Sequence, residues 1–239
     1  MTLPAVPRLL DGMPRRLRAA CGGYVYHVLN RSVARATLFH KPGDYAAFLK
    51  VLRQAHAFVP VRLLAFCLMP NHWHLLLWPE ADGQLSEHLR WLTVTHTQRW
   101  HAHYHSAGTG PLYQGRFKAF PVASDDHLFT VWRYVERNAL RAGLVTAAEQ
   151  WRWSSLGLRQ RTPPPAWLHD GPAPLPADWA AQVNAVQTEA ELAALRRSVV
   201  RGAPYGSESW QRATAEALGL EATMRPRGRP PKREAEDAC

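Results

Sequence analysis

The stretch Cys67–Trp78, CLMPNHWHLLLW, holds two histidines one residue apart inside an otherwise apolar run. Alternate residues of an extended chain point to the same face. A strand beginning at residue 72 therefore aims His72 and His74 one way, and Trp73 and Leu75 the other. Two imidazoles on one face of a stiff strand are half of a metal site; standing alone, the pair reads first as core histidines bonded to their neighbours. Partners come from farther along the chain. Tyr134 and Asn138 are spaced to share one face of a helix, about 6 Å apart along its axis, with Arg141 on the same flank. Two imidazoles and an amide oxygen can hold a divalent ion, which would polarise a phosphodiester. Tyr134 could then attack phosphorus, giving a covalent phosphotyrosine and a free 3′-hydroxyl. Such an ester keeps the energy of the broken bond, so strands could be rejoined without ATP.

A phenol is a weak nucleophile at neutral pH. The field of the cation is the expected help, with Arg137 or Arg141 adding to it or gripping a neighbouring phosphate. Imidazoles also suit zinc, but no third histidine or cysteine ligand stands nearby, so a mixed site taking Mg2+ or Mn2+ is the expectation. Tyr113, with Arg116 and Lys118, is placed to line a nucleic-acid path by stacking and phosphate contact. His101 and His103 form a second His-x-His pair, but on a helix such residues point about 200° apart and cannot share a ligand.

The elements that must position these groups follow from pattern. YVYHVLN after Gly22-Gly23 reads as a strand. Residues 44–57 read as an amphipathic helix with Asp44 as its N-cap. Residues 61–68 form a buried strand, Met69-Pro70-Asn71 a tight turn, and 72–78 a strand pairing antiparallel with the one before. A helix from about 85 to 104 and a last strand over 112–121 come next. Ser124 is placed to cap a third helix, and Gly143 to end it. The first six elements are those of a ferredoxin-like split βαβ antiparallel sheet, α+β in class, with helices packed on one face. A C-terminal helical extension and a basic tail follow. The expected divisions are a basic arm (1–20), a catalytic domain (21–158), a Pro-rich linker and helix (159–205), a short helix (206–221) and a basic tail (222–239). The short helix could read DNA or dock on the catalytic domain.

Composition sets the partner. The 239-residue chain has a net charge of +10 and a pI near 10.1, which points to a polyanion, nucleic acid before membrane. Three cysteines without a CxxC, no signal-peptide core and no apolar run long enough for a membrane helix imply a cytoplasmic, nucleoid-associated protein. In the tail, Arg227, Arg229, Lys232 and Arg233 on a Gly-Pro frame resemble an AT-hook that enters a narrow minor groove. The alternative is a solvated tail giving sequence-neutral affinity.

These motifs together resemble a known family. MPNHWHLLLWP is similar to the HUH signature of tyrosine transposases, and YVERNALRAGLV to the nucleophile helix of the REP-associated branch. YHVLNR, GPLYQGRFKAF, PYGSESWQRATAEALGL and RPRGRPPK support the match from roughly residue 21 to 233. The resemblance implies a ferredoxin-like fold and metal-dependent cleavage and joining of single-stranded DNA at repeated palindromic hairpins. It assigns Tyr134 as nucleophile, His72 and His74 as metal ligands and Asn138 as the third contact. The site is expected to be complete in one subunit of a monomer. Ala139 stands where many relatives carry proline, which eases helix continuation. The rival readings are a replication or mobilisation nuclease of the same chemistry and a hairpin-binding protein whose catalysis is vestigial.

Overall fold

The computed structural model describes residues 20–225. The basic arm and the tail residues Arg227, Arg229, Lys232 and Arg233 therefore lie outside the described residues. Strands β1 (Val25–Arg31), β2 (Arg62–Met69), β3 (His72–Trp78) and β4 (Lys118–Val122) form one antiparallel sheet in the order β2-β3-β1-β4. Helix α1 (Pro42–Phe58) connects β1 to β2, and α2 (Gln84–His103) connects β3 to β4. This is the ferredoxin-like split βαβ arrangement.

Period-two alternation sorts the sheet into two apolar faces. Tyr26, Val28, Phe66, Leu68, Trp73, Leu75 and Leu77 pack under α1 and α2. Val25, Cys67, Met69, Leu76, Phe120 and Val122 face the other way, and that face is apolar enough to require a cover of its own. The expectation of helices on one face holds for α1 and α2. The second face is covered by α3 (Asp126–Glu136), α4 (Asn138–Arg141) and much of the C-terminal extension. In β2 the register shifts between Leu63 and Ala65, so Leu64 and Ala65 both turn to this second face as a bulge. The Arg159 guanidinium donates to the bulged Leu64 carbonyl.

The hairpin between β2 and β3 turns on Pro70 and Asn71, with Met69 paired to His72. Its carbonyls are not idle: Pro70 accepts from Leu38 and Phe39 N–H, and Asn71 from Ser32 N–H at 3.0 Å. Those bonds hold the loop after β1 against the turn.

Four local boundaries differ from the sequence reading. Pro42 takes the first helical position of α1, where its missing N–H costs nothing. Asp44 is thus inside the first turn, its carboxylate accepting from the N–H groups of His40 and Lys41 at 2.7 and 3.1 Å. Asp125, not Ser124, caps α3, accepting from His127 N–H. The helix carrying Tyr134 and Asn138 is interrupted at Arg137. The last strand is short, because 112–117 is tied to the end of β1 by the Val33–Leu112 and Gln114–Arg31 backbone bonds instead. Gly143, at φ 68°, does end the run: Leu144 N–H reaches Ala139 O and Gly143 N–H reaches Leu140 O, a Schellman closure that needs a left-handed residue.

The extension is α5 (Ser155–Arg159), α6 (Trp179–Asn184), α7 (Glu189–Arg201), α8 (Glu208–Ala217) and α9 (Glu221–Met224). The proline-rich 161–176 is packed along the sheet: Trp167 stacks on Phe66, Leu168 is buried and His169 N–H donates to Leu63 O. Tyr205 exchanges backbone bonds with Pro121 and Ala123 at the β4 edge, and Trp210 of α8 meets Tyr24 edge-on. The helix over 208–217 is therefore docked on the sheet domain.

Burial of histidines makes stability pH-dependent. His88 donates its Nδ1–H to Val59 O and is held down to a pKa of about 4, and His96, on the Tyr113 hydroxyl, to about 3, both by burial. Their unfolded-state value is near 6.5. Between these limits the unfolded chain binds more protons, so stability falls as pH is lowered from about 6.5, by roughly 1.4 kcal/mol per pH unit for each histidine. Urea midpoints that stay level between pH 6.5 and pH 4.5 would contradict this account.

Candidate active site

His72 and His74 stand early in β3, opposite Arg31 and Leu29 of β1 and Met69 and Cys67 of β2. Both imidazoles lie on the face covered by α3, with ring centroids 5.0 Å apart. Helix α3 lays Tyr134 across them: its ring centroid is 5.8 Å from that of His74 and 6.0 Å from that of His27, edge to face in both cases. The Arg141 guanidinium lies 5.1 Å from the centroid of the same ring. The tyrosine, the two histidines and the arginine that spacing brought to one flank are thus together in space.

His27 belongs to this group and was not singled out from the sequence. It sits on β1 two residues before Leu29, on the same face as His74 by strand alternation, and is fully buried. Its Nε2 is 2.9 Å from His74 Nδ1. Either ring can donate here, and His27 Nδ1 is itself buried without a partner among the described residues; where His74 donates from Nδ1, a lone pair is left on His74 Nε2. That Nε2 is buried without a partner among the described residues. His72 is oriented in the same way, its Nδ1 2.6 Å from the acceptor Asn71 Oδ1, so its Nε2 also carries the lone pair. A ligand imidazole whose other nitrogen is fixed by a hydrogen bond is the usual design of a metal site.

The electrostatics keep these rings neutral. Burial, then Arg31 and Arg141, lower His72 to a pKa of about 4. Burial first, then His27, His72, Arg141 and Arg31, hold His74 well below the ordinary range, and burial lowers His27 to about 3. Neutral imidazole is the form that binds a cation. Arg31 was likewise missed; alternation along β1 was the available signal, since it places His27, Leu29 and Arg31 on the histidine face.

The orphaned His74 Nε2 and the two neutral imidazoles fit a divalent cation. Among the described residues no group of three or more His, Cys, Asp or Glu side chains could hold a metal, so a third donor must be of another kind. The amide of Asn138 is the residue expected there. It is fully buried and engaged: Nδ2 donates to Tyr134 O at 2.7 Å, and Oδ1 accepts from Arg141 Nη2 at 2.6 Å. The side chain bridges the interruption at Arg137, and its oxygen would have to exchange Arg141 for a metal.

Other expected contacts separate. Tyr113 is largely withdrawn from solvent. It is 7% exposed, its hydroxyl accepts from Trp73 Nε1 at 3.1 Å and donates to His96 Nδ1 at 2.7 Å, and it belongs to the core under α2. Arg137 turns inward, its guanidinium donating to Val183 O at 3.0 Å and to Asn184 O at the end of α6, where cations suit the exposed carbonyls. Arg116, Lys118 and Arg141 are exposed. In the second His-x-His pair, His101 bonds Ser106 Oγ.

The fold thus sets a sheet-borne histidine pair against a helix-borne tyrosine in an α+β domain. Residues 21–138 match the model of the family described as transposase IS200 like, a span containing His27, His72, His74, Tyr134 and Asn138. Through that span the chain belongs to this family, whose class of activity is DNA strand cleavage and transfer. Among solved structures, a REP-associated tyrosine transposase bound to a REP hairpin is similar at 18% identity and a TM-score of 0.50, over 61% of this chain and 83% of that one. A putative transposase from Deinococcus radiodurans R1 is similar at 16% identity and a TM-score of 0.36, over 54% of this chain and 96% of that one. No curated protein matches the chain. No helix among the described residues is long and apolar enough to cross a membrane.

Proposed function

We propose that the chain is a metal-dependent transposase that cleaves and rejoins single-stranded DNA at palindromic hairpins through a 5′-phosphotyrosine on Tyr134. The observation that carries this reading is the placement of the Tyr134 ring against His27 and His74 on one side and Arg141 on the other. His72 and His74, through Nε2, and Asn138, once its oxygen is released from Arg141, would hold Mg2+ or Mn2+. Bound there, the ion supplies Lewis-acid polarisation of the scissile phosphate. Tyr134 Oη attacks phosphorus, the P–O bond to tyrosine forms and the P–O3′ bond breaks. The phenolic proton is lost to solvent, and the leaving oxygen takes one up to become the 3′-hydroxyl. In the reverse step that hydroxyl attacks the phosphotyrosine and reseals the strand. Arg141 and Arg31 would supply positive charge where negative charge builds on the phosphate oxygens. All of these groups come from one chain, which supports a monomeric site.

The listening partner of the reading is the hairpin, for which the similar structure's bound REP hairpin is the support. The exposed Arg116 and Lys118 at the start of β4 would grip its phosphates. The engaged Asn138 oxygen favours one second reading, a hairpin binder without cleavage. A labelled hairpin oligonucleotide incubated with the protein and Mn2+ separates the two. The proposal expects a covalent protein–DNA band, lost in EDTA and lost in His72→Ala. Metal-dependent cleavage retained in His72→Ala would remove His72 from the metal site.

A further inference from the structure

Away from the tyrosine site, the loop joining α1 to β2 carries two histidines on its backbone carbonyls. His56, in the last turn of α1, bonds Val61 O through Nδ1 at 3.0 Å. His88, in the second turn of α2, bonds Val59 O through Nδ1 at 2.9 Å. A carbonyl oxygen only accepts, so each Nδ1 holds the proton and donates it. Each neutral ring is left with its lone pair on Nε2. Both rings line one small cavity, closed by Leu52, Leu63 and Trp167, the last from the proline-rich segment. His88 is 1% exposed, and its Nε2 has no partner among the described residues. A buried acceptor left unmade is costly, so the cavity calls for a guest that takes a lone pair. It offers about 10 Å³ of free space, enough for one water or a bare ion and too little for an organic ligand. Arg53 at its wall is exposed.

We propose that His56 and His88 hold one transition-metal ion of the zinc type as a clip between α1 and α2, separate from the tyrosine site. Imidazole nitrogen suits zinc, copper and nickel, whereas magnesium and manganese favour oxygen. A ligand ring whose other nitrogen donates to a backbone carbonyl is fixed in tautomer and orientation, and its basicity is raised. Both rings have that support here, on carbonyls either side of Pro60, so one short piece of backbone sets the pair. The rings are close enough that charge on His56 disfavours charge on His88, and burial, the larger cause, brings His88 down to a pKa of about 4. At neutral pH His88 therefore accepts a cation without first losing a proton. Two protein nitrogens leave coordination positions for water, which enters past the half-buried His56. The rival guest is a single water donating to both nitrogens.

The test titrates Zn2+ into the full wild-type chain and into His56→Ala, with the tyrosine site common to both proteins. A cooperative thermal transition in EDTA verifies that the variant is folded. Calorimetry should find one more equivalent of Zn2+ in the wild type. His56→Ala should bind that equivalent at least about tenfold more weakly, no less than the loss of an outer partner alone would cause. The rise in thermal midpoint between EDTA and Zn2+ should be larger in the wild type, because the ion binds only the folded pair. Long-range proton–nitrogen NMR of the wild type reads the rings directly and needs no variant. Zn2+ should shift the Nε2 resonances of both His56 and His88, and Mg2+ should shift neither. Equal Zn2+ stoichiometry and equal midpoint rises in the two proteins overturn the proposal, as does a His88 Nε2 resonance unmoved by Zn2+. Either result leaves water as the guest.

Discussion

Tyr134→Phe forms no covalent adduct with a hairpin oligonucleotide in Mn2+ and loses strand cleavage by at least about a thousandfold, the scale on which removal of a nucleophile is felt. The substitution removes one oxygen and nothing else. The ring keeps its edge-on contacts with His27 and His74 and its position beneath Arg141. Tyr134 Oη has no hydrogen-bond partner among the described residues, so no buried donor or acceptor is stranded by its removal. Stability should change by less than about 0.5 kcal/mol, and binding of the uncleaved hairpin should remain. Denaturing gels of labelled DNA read the adduct, and anisotropy reads the binding. An adduct that persists in Tyr134→Phe would place the nucleophile elsewhere. A variant that no longer binds the hairpin would show that the hydroxyl serves recognition.

Glu136→Ala should be the most destabilising single change near the site, by roughly 2–4 kcal/mol. Glu136 lies two residues beyond Tyr134 on α3 and is fully buried. Its Oε1 accepts from Ser155 Oγ at 2.5 Å and its Oε2 from Trp179 Nε1 at 2.8 Å. Ser155 Oγ in turn accepts from the backbone N–H of Phe66 at 3.0 Å, so the carboxylate joins β2, α5 and α6 to the tyrosine helix. Burial holds its carboxyl above the ordinary range, with Ser155, Trp179 and Arg159 pulling it back. Alanine leaves the buried Trp179 N–H unpaired and takes the carboxylate away from Arg159, whose guanidinium also stacks over Trp132. Glu136→Gln, which keeps an acceptor for one of the two donors, should lose about half as much. Urea denaturation gives both numbers. Equal midpoints for wild type and Glu136→Ala would mean that the extension is held without this group. Because the network is anchored on the tyrosine helix, the alanine variant should also lower adduct yield at temperatures where the protein remains folded.

The two predictions meet on one helix, and they divide between what was legible in the chain and what was not. Strand alternation alone put His72 and His74 on one face, and the Pro70-Asn71 turn set the hairpin that starts at His72. Helical spacing alone put Tyr134 beside Asn138 and Arg141, and Gly143 at the helix end. These are local properties: a side chain's direction relative to its neighbours follows from the backbone period, whatever the rest of the fold does. The order of elements was enough for the split βαβ sheet, because short connections and alternating strand and helix patterns leave few topologies.

Meetings between distant segments were decided only by tertiary structure. His27 reads as one more residue of an apolar strand until β1 is laid beside β3, where it becomes the partner of His74 Nδ1. Tyr113 carries the composition of a stacking platform, yet the chain has a buried Trp73 N–H and a buried His96 to satisfy, and its hydroxyl does both. Arg137 could have reached for phosphate; the carbonyls ending α6, some 46 residues away, hold it instead. Glu136, Ser155 and Trp179 have no shared pattern in sequence at all. The physical reason is common to these cases. Periodicity fixes which way a side chain points, but the satisfaction of buried polar groups is settled by whichever residue the fold brings within 3 Å, and that neighbour is written nowhere near it in the chain.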